Sequence, residues 1–252
     1  MLSPAATAAD ELMARLNPVW SNTYWIKNAL ELCEGMWQHA AELPKQHHHF
    51  FSLVQKFALD SAVLGICKLF DRSNPSYPKD TIPDVMDYAK TNFIDTYASR
   101  LDTQTLIDLG VSDHDATKII MDFRKGSDFL QTRDNLFMTL GQLIPTRENN
   151  SSLQKLFFVR DKVIAHQERV NSSKSEQLEY LPSLDDMENI NNWGSNFCRL
   201  VACIMTNTTL LPHAVSARMA ALSVVEKVLG KNFDPSKGGA AYQEWEAFYK
   251  KP

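Results

Sequence analysis

Glycine and long uninterrupted apolar runs are scarce in this sequence. Its 252 residues include only 9 Gly, which excludes a collagen-like repeat and argues against a glycine-rich disordered chain. The two most apolar stretches, residues 58–70 and 197–211, are shorter than the roughly 18–20 residues that a membrane-spanning helix needs. We therefore expect a globular protein with no membrane segment.

Cysteine is also sparse, and its spacing indicates no metal site. The 4 cysteines form neither a CxxC pair nor a Cys/His cluster with zinc-ligand spacing. The consecutive His47, His48 and His49 point in different directions on a helix, so a helix face is favoured over a metal site. Asp10 and Glu11 precede any apolar run that could act as a signal sequence. We expect a cytoplasmic protein with no metal and no cofactor.

Positive charge is not in excess, since the formal net charge is −4. Proteins that coat nucleic acid are usually basic because phosphate neutralisation supplies most of their affinity. Extended nucleic-acid binding is therefore disfavoured, whereas a small basic cleft is not. The glycine-rich phosphate loop, HExxH and GxSxG motifs are absent, which argues against P-loop kinase, zinc protease and serine hydrolase functions.

Helical periodicity recurs along the chain, and strand alternation is nearly absent. Ser112 has the sequence context of a helix N-cap and Gly110 that of a C-cap, and Ser183-Leu-Asp-Asp186 resembles a capping box with Asp in place of Glu. The spacing predicts an all-α antiparallel helical bundle, forming a single domain over 1–252 with a core at about 45–210. The predicted helices span residues 19–43, 45–70, 83–100, 103–109, 112–143 (kinked near Gly126), 152–170, 183–204 and 212–230.

The first two predicted helices carry many large apolar residues. Helix 19–43 is expected to begin after Asn17-Pro18 and to direct its tryptophans and aliphatic residues into the core. The apolar residues on these two faces are Trp20, Ile26, Leu30 and Trp37 in the first helix, and Phe50, Leu53, Phe57, Leu64 and Cys67 in the second.

One segment combines an apolar helix with residues suited to chemistry. Arg160 and His166 follow the predicted core residues Leu156, Phe157 and Val159. Six positions at about 100° per residue place the two side chains roughly 120° apart on a regular helix. They converge only if the helix ends or bends before His166, or if a second copy of the chain supplies the facing pair.

The motif segment, FFVRDKVIAH, resembles the Arg-polar-x-His pattern of the HEPN superfamily. Together with LGICKLFDR at residues 64–72, it is similar to the AbiU-type abortive-infection branch, over roughly residues 50–204. The resemblance implies a core of four to five helices and a homodimer whose two motifs face each other. It also implies a metal-independent endoribonuclease acting as a toxin or antiviral effector, with RNA as its substrate and an antitoxin as a possible partner.

The resemblance assigns roles that the residue types can perform. His166 would transfer protons to or from the ribose 2′-hydroxyl or the leaving 5′-oxygen, since histidine titrates near neutral pH. Arg160 would stabilise the developing phosphorane with its fork of donors. Asp161 would orient His166 or Arg160, or would have only a structural role in the helix. Lys162, Asp71 and Arg72 are expected to contribute to substrate binding, although the last two also fit a helix end before a proline-containing loop.

Two alternatives to catalysis stay open. An Arg-Asp neighbour pair and a histidine at a helix end also occur as ordinary helix-end electrostatics. A non-catalytic HEPN-like dimer that binds or senses would carry the same helices. Toxins of this kind that are paired with a nucleotidyltransferase antitoxin often have a tyrosine two residues past the histidine; this chain has Glu168 there, so that form of regulation is not expected.

Overall fold

A computed structural model describes residues 4–37, 40–72, 80–92, 101–126, 128–164, 181–206, 208–210 and 217–230 of the protein. Within these ranges the regular structure is helical and there is no strand, which confirms the all-α prediction. A 3₁₀ turn at Ala40–Glu42 and a π-helix at Arg160–Ile164 accompany the α-helices. The α-helices are α1 (Pro4–Trp37), α2 (Lys45–Phe70), α3 (Ile82–Asn92), α4 (Thr103–Ile107), α5 (Asp113–Lys125), α6 (Phe129–Leu143), α7 (Ser151–Val159), α8 (Leu184–Thr206) and α9 (Ala217–Val228).

The N-terminal helix begins well before the predicted position. α1 starts at Pro4 and continues through Pro18, so the prediction of a start after Pro18 was wrong. Pro18 lacks the N–H that would donate a hydrogen bond to the carbonyl of Ala14. Both Ala14 and Pro18 are exposed, so water can donate to that carbonyl instead. Leu12 and Leu16 are fully buried, and their burial before the proline favours continuing the helix through it.

Helix α2 has the predicted bounds but buries a different face. Cys67 is buried as expected, whereas the large residues Phe50, Leu53, Phe57 and Leu64 are all exposed. The buried face instead includes small residues, namely Ala58, Ala62 and Gly65. Large size was therefore a poor guide to burial in this helix.

Close packing of α1 against α2 explains why small residues face inward. A β-carbon at Gly65 would lie 2.6 Å from Cγ1 of Ile26, well inside van der Waals contact. Asn22 of α1 donates a 2.8 Å hydrogen bond to the carbonyl of Gly65. Trp37, predicted to reach the core, is 70% exposed. At Gly65 the two helices approach too closely for a larger side chain.

By length and composition, α2 is the one described helix that passes a test for a membrane span. In its most apolar 18-residue window, 33% of the residues are buried inside the protein. A core helix of a globular protein passes the same test, and Ile66 and Leu69 of α2 lie in the main core. The uninterrupted apolar run in α2 is shorter than a membrane-spanning helix needs, which favours a core helix. The absence of a membrane segment stays a prediction.

The long polar helix predicted over 112–143 is two helices. Ser112 caps α5 by accepting a hydrogen bond from the amide of Asp115, as predicted. Gly126 then adopts φ +62°, in the left-handed region that ends a helix. Asp128 caps α6. A left-handed residue cannot continue an α-helix, so the predicted kink is a complete break.

The remaining predicted boundaries agree in part. Pro83 lies in the first turn of α3, which ends at Asn92 within the described residues. α4 is followed by Gly110 at φ +92°. Residues 93–100 and 211–216 lie outside the described residues, as does the predicted helix start at Pro212. The sequence after residue 239 is aromatic and is predicted to form a last short helix; it also lies outside the described residues.

Helix α8 passes through the centre of the bundle. Ser183 and Asp186 form the predicted capping box, with each residue's amide bonded to the other's side chain over 3.3 and 3.0 Å. Asn191 is buried and donates to the carbonyl of Thr23 in α1. Core residues of α1, α2, α7 and α8 belong to one hydrophobic cluster. This packing brings the C-terminal end of α2 beside the end of α7.

Candidate functional site

The motif helix is held in place at both its start and its buried face. The side chain of Asn150 caps α7 by accepting a 2.8 Å hydrogen bond from the amide of Leu153. Leu156 and Phe157 then anchor the helix in the core. Arg160 follows directly, at the point where the anchored helix ends.

The helix changes its hydrogen-bonding pattern at the motif. Residues Arg160–Ile164 form a π-helix, a rare arrangement in which backbone hydrogen bonds join residues five positions apart. Short π segments inside α-helices are frequent at functional sites. The regular 100° per residue on which the predicted separation rests therefore does not apply over Arg160–Ile164, and the separation from His166 stays a prediction. The helix thus departs from regular α geometry up to two residues before His166, and whether a second chain supplies the facing pair stays a prediction.

Arg160 is fixed by two carboxylates from different parts of the chain. Its Nη1 donates to Oδ2 of Asp71 over 2.9 Å, and its Nε donates to Oδ1 of Asp161 over 2.7 Å. The Arg160 side chain is 20% exposed, so it is half-buried and still reaches solvent. Asp71, one of the predicted binding residues, thus contacts Arg160 directly, and Asp161 pairs with Arg160 rather than serving only the helix.

A second arginine, Arg147, joins this group and was not foreseen from the sequence. Its Nη2 lies 3.9 Å from Oδ1 of Asp71, and its Nη1 lies 3.8 Å from Oδ2 of Asp161. Arg147 occupies the turn before α7, which Asn149 stabilises by accepting a hydrogen bond from the amide of Thr146. No local motif distinguishes Arg147 from other surface arginines; only the folded turn brings it here.

One buried ring supports both guanidinium groups. The central carbon of Arg147 lies 3.6 Å from the centroid of the Phe157 ring, and that of Arg160 lies 4.6 Å from it. Phe157 is only 2% exposed, so its position is set by the core. Cation–π attraction therefore adds to the ion pairs. We refer to Asp71, Arg147, Phe157, Arg160 and Asp161 as the arginine–aspartate cluster.

The cluster keeps Arg160 charged, and burial keeps the neighbouring thiol of Cys67 neutral. Burial opposes the charge of Arg160, but the hydrogen bond to Asp161 and the nearby Asp71 carboxylate outweigh it and raise the pKa of Arg160. Burial raises the pKa of Cys67, which is 0% exposed, to about 12. Cys67 is therefore a buried, protonated thiol beside the cluster.

The other predicted site residues lie at the edge of the cluster or outside the described structure. Arg72 and Lys162 are exposed. The hydrogen bond from Thr146 and, to a smaller extent, the charges of Arg72 and Arg147 lower the pKa of Glu148. His166 lies outside the described residues. The structure thus brings Asp71, Arg160 and Asp161 together and leaves the position of the histidine a prediction.

The described residues offer no metal centre. Among them, no group of three or more His, Cys, Asp or Glu side chains is placed to hold an ion. In the cluster, two carboxylates face two guanidinium groups, which satisfy them. Chemically, this arrangement can orient a charged donor toward a phosphate or another anion.

Comparison with known proteins identifies the family. Residues 9–221 match the HEPN family model described as AbiU2. The chain belongs to the HEPN family of AbiU2 type. The match begins in α1 and ends in α9, so it extends further in both directions than the resemblance over residues 50–204. No curated protein and no solved structure matches the chain.

In this AbiU2-type chain, the sharpest part of the family resemblance coincides with the arginine–aspartate cluster. Arg160 and Asp161 open the motif, and Asp71 belongs to the second similar segment, at the end of α2. Two segments that are 89 positions apart in the sequence thus meet through one hydrogen bond.

Proposed function

We propose that this HEPN protein is a metal-independent endoribonuclease that acts in the cytoplasm as a toxin or antiviral effector of the abortive-infection type. One observation carries the proposal. The motif arginine, Arg160, is held in a fixed orientation by Asp71 and Asp161 and remains partly exposed. Fixed donors stabilise developing charge more effectively than mobile ones because they need no reorganisation during the reaction.

The proposed reaction is an internal transesterification of RNA. A histidine base, His166, removes the proton from the ribose 2′-hydroxyl, and the 2′-oxygen attacks the adjacent phosphorus. The bond from phosphorus to the 5′-oxygen breaks, and that oxygen takes up a proton from a histidine acid. Arg160 stabilises the negative charge on the phosphorane oxygens. The products are a 2′,3′-cyclic phosphate and a 5′-hydroxyl, so DNA is not a substrate.

A homodimer would supply the acid and the base from two motifs. The exposed apolar stripe on α2 (Phe50, Leu53, Phe57 and Leu64) supports self-association. Its members follow a spacing of three, four and seven residues and share one helix face. The same helix ends at Asp71 in the cluster, so an interface along the stripe would lead toward the site. A dimer joined on one such face is symmetric and uses the same surface twice.

The direct test is cleavage of end-labelled RNA by purified protein in the presence of EDTA. We expect fragments ending in a 2′,3′-cyclic phosphate and a loss of about 10²–10⁴-fold for His166→Ala. His114→Ala is the matched control, because His114 is an exposed histidine on α5, and it should cleave normally. Cleavage that survives His166→Ala would remove the histidine from the mechanism.

A second candidate function is a non-catalytic HEPN dimer that binds or senses. The observation that favours it is that two donor positions of Arg160, Nε and Nη1, are already engaged by carboxylates. An antitoxin or another partner could bind such a dimer without any cleavage. A protein that dimerises, folds normally and cuts no RNA under any tested condition would support this candidate over the nuclease.

A further inference from the structure

The two arginines of the cluster are held in different ways. Arg160 makes two hydrogen bonds of 2.7 and 2.9 Å and is 20% exposed. Arg147 approaches the same two carboxylates only to 3.8 and 3.9 Å, beyond hydrogen-bond distance, and is 44% exposed. To bind Nε or Nη1 of Arg160, an anion would have to displace the carboxylate that accepts from it. To bind Arg147, it would not have to break a hydrogen bond with either carboxylate.

Contact with the Phe157 ring restricts how the guanidinium of Arg147 can tilt. Its guanidinium carbon is 3.6 Å from the centroid of the Phe157 ring, which is close contact for a planar group over a ring. All N–H donors of a guanidinium lie in its plane and point outward from its edges. Contact with the ring therefore occupies one face of the Arg147 guanidinium, and its edges, which lie 3.8 and 3.9 Å from the two carboxylates, can still donate hydrogen bonds to a ligand.

The charges around Arg147 define the ligand. Asp71 and Asp161 balance Arg147 and Arg160, so a ligand with a single negative charge and two acceptor oxygens suits the exposed arginine better than a highly charged one. A phosphodiester has this charge and matches the fork of a guanidinium.

We propose that Arg147 is a substrate-binding residue that docks an RNA phosphodiester beside Arg160. This inference rests on the proposed function and adds a residue that the motif does not contain. Arg160 is already fixed for the chemical step by its two carboxylates. The guanidinium of Arg147 can turn toward the RNA strand while one of its faces stays in contact with the Phe157 ring. Arg147 therefore acts mainly on substrate affinity, and its loss should raise KM more than it lowers kcat.

The test measures binding separately from cleavage. A fluorescent single-stranded RNA with 2′-O-methyl groups cannot undergo the 2′-hydroxyl reaction, so its anisotropy reports binding alone. We expect Arg147→Gln to weaken binding about tenfold and to reduce the slope of log Kd against log salt concentration by about 0.7, the loss of one phosphate contact. Arg147→Lys keeps the charge but loses the planar fork, and should restore part of the affinity and most of the salt dependence.

The matched control is Arg218→Gln. Arg218 is 42% exposed and pairs with Glu34 over 3.2 Å, so it resembles Arg147 in exposure and ion pairing but not in location. Its loss should leave RNA affinity unchanged. Thermal unfolding of each variant separates loss of affinity from loss of fold. Unchanged binding and KM in a folded Arg147→Gln protein would overturn the inference, as would equal weakening by Arg218→Gln.

The outcomes also separate this inference from the nuclease proposal. Weaker binding by Arg147→Gln in a protein that never cleaves RNA would support the docking role and reject catalysis. Normal cleavage with unchanged affinity in the same variant would reject the docking role and leave catalysis standing. A wild-type protein that does not bind the methylated RNA would overturn the docking role.

Discussion

Two arginine–aspartate neighbour pairs in this molecule are alike in sequence and differ in their surroundings. Arg133 on α6 and Arg160 after α7 each donate from Nε to Oδ1 of the following aspartate, over 3.0 and 2.7 Å. Their side chains are 19% and 20% exposed. Arg160 also reaches the carboxylate of Asp71, whereas Arg133 pairs only with Asp134 among the residues that the structure describes.

The difference shows what turns a common sequence pattern into a candidate site. Around Arg160, the fold adds a distant carboxylate, a buried aromatic ring and a second guanidinium. The helix also changes to π-type hydrogen bonding at this residue, while Arg133 lies inside the α-helix α6. The neighbour pair itself contributes little, since exposed ion pairs add about 0–1 kcal/mol to stability.

The largest expected difference between the two pairs appears when the arginine of each is removed in turn. Arg160→Ala should reduce RNA cleavage at least about 100-fold, because it removes the group proposed to stabilise the phosphorane. Arg133→Ala should leave the rate within about twofold, although it breaks an equally exposed pair of the same type. Initial rates on labelled RNA measure both. Similar losses in both variants would show that the surroundings of Arg160 have no special role.

The exposed apolar residues of α2 and α6 extend the comparison to the interface. Phe57 is 60% exposed and Leu130, near Arg133, is 58% exposed. Phe57→Asp should weaken self-association about 30-fold, which corresponds to about 2 kcal/mol for a central interface residue. It should also reduce cleavage at low protein concentration, since the proposed site needs two chains. Leu130→Asp should change neither property.

Sedimentation equilibrium over a range of concentrations measures this effect. A wild-type protein that stays monomeric at tens of micromolar would contradict the proposed interface on α2. So would a Phe57→Asp variant that associates as strongly as the wild type. Equal weakening by Leu130→Asp would move the interface to a different surface.

Local sequence signals predicted several helix ends correctly but did not predict the buried face of α2. The capping box at Ser183, the cap at Ser112 and the bounds of α2 were all confirmed. These features depend on residues close together in the chain. The buried face of α2 depends instead on how closely α1 approaches Gly65, which no pattern within α2 expresses.

The candidate site follows the same division. The motif around Arg160 was identified from neighbouring residues, and the family match over residues 9–221 agrees with that identification. Arg147 was missed because its link to the site passes through a turn, a buried ring and two carboxylates. Its place beside Asp71 is a tertiary contact between loops that are far apart in the chain.

The smallest expected effect concerns the carboxylate that distinguishes the two pairs. Asp71→Asn removes the charge that Arg160 contacts, at a cost of about 1 kcal/mol, since the pair is partly exposed and screened.

Cys67 lies beside the cluster, is 0% exposed and has a pKa raised to about 12, so at pH 8 its alkylation requires local opening. We expect Asp71→Asn to speed the alkylation of Cys67 by iodoacetamide about fivefold, as measured by mass spectrometry of its peptide. Asp134→Asn, the equivalent change near the other pair, should leave that rate unchanged. An unchanged rate in Asp71→Asn would mean that the contact with Arg160 orients the guanidinium without holding the end of α2 closed, and equal acceleration in both variants would point to a general loss of stability.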